Sequence, residues 1–277
     1  MDRRLTPANG RAALRHLQGK VEAAIFTDGE AARVAVPVAD LLKAPEGARD
    51  RQLLWGEAVT LIDRHQGWCF LQAAKDGFCG YLRADQIAAP RPATHWVATP
   101  GTHLLTGPKV QCATVAPLFM GSQLQVIGQS GSWSETPDGF VPSSHLKPLG
   151  SHHSDPASVA QSFLHSPYLW GGNSRAGIDC SGLAQIAFGA CGFQIPGDSD
   201  LQAACGSEIP AEAPLQRNDL LFWKGHVAIA LSADRMIHAT GAAMAVIEED
   251  ILAAIARILA AGDGPVTARR RLPFHLG

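Results

Sequence analysis

No stretch of the chain approaches the about 18 consecutive apolar residues that a membrane-spanning helix needs, so a membrane protein of the helical kind is not expected. No charge of one sign dominates either. With 23 Lys and Arg against 25 Asp and Glu the formal net charge is -2, too balanced to hold nucleic acid or an anionic membrane by a global field. The first residues, MDRRLTPANG, lack the apolar core of a secretion signal; taken as the natural start they predict a cytoplasmic protein. An export signal upstream would place it outside the cytoplasm instead. Six cysteines, at 69, 79, 112, 180, 191 and 205, form no CxxC pair and no framework spacing, so they are read as free thiols in a reducing compartment. No cofactor is expected. His152 and His153 have no Cys or carboxylate at zinc spacing, and no metal site is expected either.

What the chain does contain is length for two or three domains and apolar residues to fill their cores. A degenerate repeat runs through residues 50 to 150. LLWGEAVTLIDRHQGW (53 to 68) matches LFMGSQLQVIGQSGSW (118 to 133), with Gly56 to Trp68 and Gly121 to Trp133 at the same spacing. Each copy continues into Asp-Gly-Phe, at 76 to 78 and at 138 to 140. Segments such as 58 to 62 and 123 to 127 alternate with a period of two, and turn-forming residues punctuate them about every eight to twelve residues. That spacing predicts small antiparallel barrels. The rhythm resembles bacterial SH3 domains.

After a polar stretch, PLGSHHSD (148 to 155), a helix is predicted with Asp155 as N-cap and Pro156 in its first position. A second helix begins at Cys180 and stops at Gly192. DLLFW (219 to 223), HVAIAL (226 to 231) and RMIHA (235 to 239) read as consecutive strands. Residues 251 to 259 form an amphipathic helix, and ARRR (268 to 271) lies on a last strand whose charges are a solvated face. The predicted fold class is therefore multi-domain: two small all-β SH3-like barrels followed by an α+β domain. The expected boundaries are an N-terminal segment over 1 to 20, barrels over 21 to 90 and 91 to 150, and the α+β domain over 151 to 277.

One residue stands out chemically. Cys180 follows the glycine-rich loop GGNSRAG and opens a helix, where free backbone N-H groups and the helix dipole favour a thiolate. His226 opens one strand and His238 lies twelve residues later in the next. With an odd-numbered loop between the strands, both imidazoles share a sheet face and can line up toward one thiol. A thiol, a base and an orienting group are the elements of nucleophilic amide hydrolysis.

PYLWGGNSRAGIDCSGLAQ, GDSDLQA (197 to 203), LQRNDLLFWKGHVAIAL (215 to 231) and MIHATG (236 to 241) together resemble the NlpC/P60 family of papain-like cysteine peptidases, over residues 153 to 277. The resemblance implies Cys180 as nucleophile, His226 as base, His238 as third member and Tyr168 as a near-site group that helps hold the oxyanion. Two preceding SH3-like modules point to the subgroup that resembles γ-D-glutamyl-L-diamino acid endopeptidases. The implied substrate is a murein-derived stem peptide with a free N-terminal L-Ala. The substrate-binding set so implied is Asp179, Ser181, Asp198 and Trp170, with Phe78 or Tyr81 of the first barrel as a wall aromatic; Phe78 stands where the subgroup carries a tyrosine. Asp179 beside a nucleophile raises the thiol pKa, which works against catalysis. It is useful as a clamp for an ammonium group. Two other readings are an amidase or acyltransferase on another amide or ester, and a catalytically silent peptidoglycan-binding module.

Overall fold

The computed structural model describes residues 1–273. The chain divides into two compact units, Met1–Leu149 and Gly150–Gly277, the last four residues of the second lying outside the described ones.

In the first unit, alternation does produce antiparallel strands. The Ala58–His65 and Trp68–Ala73 strands form a hairpin, closed by Gln66 and Gly67, both at positive φ (48° and 80°), as a two-residue turn matched to strand twist requires. This hairpin sits in a seven-stranded sheet with Leu71, Leu82, Leu41 and Leu53 fully buried. The segment before residue 21 is part of this structure: Ala12–Leu14 pairs in parallel with Ile25–Thr27, and Ala12 and Leu14 pack with Ile62, Phe70 and Cys79.

The second repeat builds a five-stranded and a three-stranded sheet around Val97, Leu104, Leu118 and Val141. Here the strand expected over 123 to 127 is cut short. Only Gln123–Leu124 is extended and paired, and the next strand is Gly128–Ser130. The reason is a change of partner. Val126 N-H goes to the Thr94 hydroxyl and Ile127 N-H to Glu135 O, so the chain leaves one sheet for the other between these residues. The two repeats join where Gln123 N-H donates to Trp55 O at 2.8 Å. A Cβ on Gly56 would stand 2.0 Å from Gln123 O, so this crossing needs glycine.

The second unit puts its helices first and its sheet after them. Helix α1 (Pro156–Gln161) is capped by Asp155, whose carboxylate accepts Ser158 N-H and pairs with Arg217 at 2.7 Å. Asn218 Oδ1 accepts Ala157 N-H at 2.8 Å, so the RND segment ties the first helix to the start of the sheet. Helix α2 (Cys180–Ala190) is buried along most of its length and ends before Gly192 at φ 86°. Helix α3 (Ser199–Gln202) is one turn, and α4 (Ile251–Ala260) lies in the chain between the Ala245–Asp250 and Ala268–Arg271 strands.

The six-stranded sheet runs, edge to edge, Ser207–Glu208, Ala268–Arg271, Leu220–Trp223, His226–Ala230, Arg235–Thr240 and Ala245–Asp250, all antiparallel. On one face Leu221, Trp223, Ala228, Ala230 and Met236 pack against Ile251, Ala254 and Ile258 of α4. The ARRR strand is a latch rather than a free charged face. Arg271 pairs with the buried Asp219 at 2.7 Å, and Arg269 donates to the carbonyls of Pro210 and Ala213. Asp219 is 1% exposed, and a polar group buried so deeply needs hydrogen-bond partners.

Candidate active site

Cys180 is the first residue of α2, and its neighbours in sequence build the corner that presents it. Asp179 is the N-cap: Oδ1 accepts Gly182 N-H at 2.6 Å and the Ser181 hydroxyl at 3.0 Å, while Oδ2 accepts Gly171 N-H at 2.7 Å. The carboxylate therefore joins the helix start to the glycine-rich loop. Gly182 lets that loop lie close, since a Cβ there would meet Gly172 O at 2.3 Å. The cysteine is 8% exposed.

The sulfur lies against the opening of the His226–Ala230 strand. Sγ is 4.0 Å from Gly225 O, and the backbone N-H groups of Val227, Ser181 and Cys180 favour its anion. Gly225 and Val227 flank His226 in the chain, so the thiol meets the strand at the histidine's own position. Burial, reinforced by the Asp179 charge, outweighs those N-H groups and pushes the thiol up to about 12. The resting nucleophile is a neutral thiol.

Strand register places the histidines. Ile229 pairs with Ile237 and Ala230 with Met236, which puts residues 226, 228 and 238 on one sheet face, with 226 and 238 diagonal across the ladder. Their rings meet: His226 Nε2 and His238 Nδ1 are 2.7 Å apart. His238 is 1% exposed. Burial lowers both, His226 to about 3, with the His238 ring and Arg257 adding to the effect, and His238 to about 4, with Arg257 adding. At neutral pH both imidazoles are uncharged. The site thus combines a protonated thiol with a neutral base, so proton transfer to His226 must accompany attack.

Of the other residues expected here, Tyr168, Trp170, Ser181 and Asp198 belong to the second unit, and Phe78 and Tyr81 belong to the first. Tyr168 is half-buried in the loop before α2, near enough for the charges of Cys180 and Asp179, after burial, to raise its phenol to about 12. It stays a hydrogen-bond donor. Ser181 is bound to Asp179 and is buried. Trp170 is 66% exposed in the same loop. Asp198 caps α3, its carbonyl accepting from Leu201 and Gln202 N-H. Tyr81 is half-buried on Phe70, with ring centroids 5.1 Å apart. Phe78 has no exposed surface, with Arg51 stacked 4.7 Å above its ring.

Two residues escaped the sequence reading. Gln202 is fully buried, and its amide donates to the carbonyls of Ser181 (3.0 Å), Pro196 (2.9 Å) and Gly197 (3.4 Å). It fastens the GDSD turn to the first turn of the nucleophile helix. Glu249, from the last strand of the sheet, lies 2.7 Å from His238 Nε2. Among the described residues no group of three or more His, Cys, Asp or Glu side chains is arranged to hold a metal ion.

Residues 165–254, which span this whole arrangement, match the NlpC/P60 family, and residues 41–87 match the bacterial dipeptidyl-peptidase Sh3 domain. This chain carries an NlpC/P60 peptidase domain. The chain is similar in fold to an NlpC/P60 family protein of Bacillus cereus, whose crystal structure matches 88% of this chain and 100% of that one with a TM-score of 0.74 at 21% identity. The sequence is 28% identical over 215 residues to dipeptidyl-peptidase 6 of Lysinibacillus sphaericus (68% of this chain, 79% of that protein). It is also 28% identical over 214 residues to a gamma-D-glutamyl-L-lysine dipeptidyl-peptidase of Bacillus subtilis (68% of this chain, 71% of that protein).

Proposed function

We propose that this NlpC/P60 enzyme is a cysteine endopeptidase that hydrolyses the bond between γ-D-Glu and the diamino acid, meso-diaminopimelate or another, in free murein stem peptides bearing an unblocked N-terminal L-Ala. The observation that carries this reading is the carboxylate of Asp179 beside the nucleophile. It raises the thiol pKa, and an acid so placed helps catalysis only when the substrate brings a positive charge to meet it. An N-terminal ammonium group at Asp179 would offset the carboxylate's effect on the sulfur and fix the scissile carbonyl relative to it. Relatives named for γ-D-glutamyl-L-lysine dipeptide release support the same substrate class.

In this reading Cys180 Sγ attacks the γ-carbonyl of D-Glu as its proton passes to His226. The tetrahedral oxyanion is held by backbone N-H groups at the start of α2, with the Tyr168 hydroxyl as a further donor. His226 then protonates the leaving amine of the diamino acid. Water, deprotonated by His226, releases L-Ala-D-Glu from the thioester. We place this activity in the recycling of wall peptides inside the cell, a reading supported by the six unpaired cysteines. The test is incubation of wild type and Cys180→Ala with L-Ala-γ-D-Glu-meso-diaminopimelate under reducing conditions, followed by mass spectrometry. Wild type should release L-Ala-D-Glu and the variant should not. Intact peptide with wild type rejects the proposal, and product from the variant rejects Cys180 as the nucleophile.

A further inference from the structure

The tautomers of the two histidines must be set for this chemistry, and the fold contains a device that sets them. To accept the thiol proton on Nδ1, His226 must carry its resting proton on Nε2 and donate it to His238 Nδ1. His238 must then carry its own proton on Nε2. The opposite arrangement of the same 2.7 Å contact leaves His226 with a proton on the nitrogen that has to act as base. Nothing within an isolated imidazole pair selects between the two.

Glu249 can select. Met236 pairs with Glu249 and His238 with Ile247, so Glu249 is diagonal to His238 on the face that already carries His226. Glu249 Oε1 stands 2.7 Å from His238 Nε2. It sits off the ring N-H direction, and that buried nitrogen has no hydrogen-bond partner among the described residues. Catalytic hydrogen bonds are often poorly aligned in the free enzyme and tighten with substrate. The same oxygen accepts from Arg257 Nη2 at 2.5 Å. Arg257 reaches back from α4, which Asp250 caps at its start. A carboxylate can only accept, so a proton on His238 Nε2 is favoured. Arg257 holds that oxygen in place and offsets its charge, leaving the imidazoles neutral.

We propose that Glu249, held by Arg257, is a positioning residue that fixes His238 and, through it, His226 in their Nε2-protonated tautomers. The inference rests on the peptidase reading for its kinetic consequence, while the tautomers themselves can be observed without substrate. No proton passes to Glu249 during turnover. The relay ends at His238.

The experiment uses the full chain with Glu249→Ala, Glu249→Met and Glu249→Gln. Long-range proton-nitrogen NMR of the imidazoles should show Nε2-H for both histidines in wild type and a mixture containing Nδ1-H forms in the Ala and Met variants. Their kcat should fall about 10- to 100-fold, part of what a general base supplies, with KM within about twofold. Gln keeps a carbonyl oxygen that Arg257 can hold, so Glu249→Gln should retain the wild-type tautomers and kcat within about threefold. Met preserves most of the side-chain volume and serves if Ala fails to fold. Unchanged tautomers in both the Ala and Met variants, or a Gln variant as impaired as Ala, overturns the proposal. If wild type cleaves no γ-D-glutamyl peptide, the substrate assignment fails while the tautomer measurement still decides this inference.

Discussion

Asp179 Oδ1 accepts the Gly182 amide at 2.6 Å, which makes one carboxylate both the cap of the nucleophile helix and the nearest fixed negative charge to its thiol. Capping and charge can be separated because Asn is as good a cap as Asp but carries no charge. Asp179→Asn keeps the oxygen that caps Gly182 but loses the Oδ2 acceptor of the Gly171 N-H, so it should fold with about 1–3 kcal/mol less stability than wild type. It should also titrate with a lower thiol pKa, although burial, the larger cause, keeps that value raised. Turnover of peptides with a free N-terminus should drop by at least about tenfold, equivalent to about 1.4 kcal/mol of lost ammonium binding. Thermal melting, thiol titration and steady-state kinetics on one preparation check all three. A variant that keeps full activity removes Asp179 from substrate recognition.

The depressed histidines make stability depend on acid. In the unfolded chain His226 and His238 take up protons near their ordinary 6.5, whereas in the fold they resist until about 3 and about 4. Above pH 6.5 both states leave them neutral and nothing is lost. As the pH falls from about 6.5 toward 4 the unfolded state binds more protons, so stability declines. Urea unfolding between pH 7 and pH 5 should show a smaller decline in a His226→Gln, His238→Gln double variant than in wild type. Equal declines would contradict the buried neutral pair.

Gln202 offers a test of how the recognition segment is held. Removing its amide leaves the carbonyls of Ser181, Pro196 and Gly197 without that donor in a buried place. Gln202→Leu should cost about 1–3 kcal/mol of stability. It should raise KM more than it lowers kcat, because the turn that carries Asp198 loses its tie to α2 while the histidines are untouched. Chemical unfolding and kinetics check this, and wild-type stability would show that the three contacts are incidental.

Much of the site was legible because its signals are local. Cys180 after an N-capping Asp, and histidines spaced for one sheet face, are visible in the residues themselves, and the strands and helices of the second unit lie close to where periodicity puts them. The remainder depends on pairing that a linear pattern does not carry. Alternation continues through residues 123 to 127, but the chain changes sheets there to satisfy Thr94 and Glu135. Glu249 reads as an acid leading into a helix until the ladder sets it diagonal to His238. The ARRR charges look solvated until Asp219 and two carbonyls are found beneath them.

The central claim is that this enzyme reads a free N-terminal amine next to its nucleophile. It is tested most directly by the ratio of kcat/KM for L-Ala-γ-D-Glu-meso-diaminopimelate to that for its N-acetylated form, measured at near-neutral pH under reducing conditions. The expected ratio is at least about 100, equivalent to about 2.7 kcal/mol lost with the ammonium at Asp179. Equal cleavage of both peptides would contradict the account and leave a peptidase without an amine clamp.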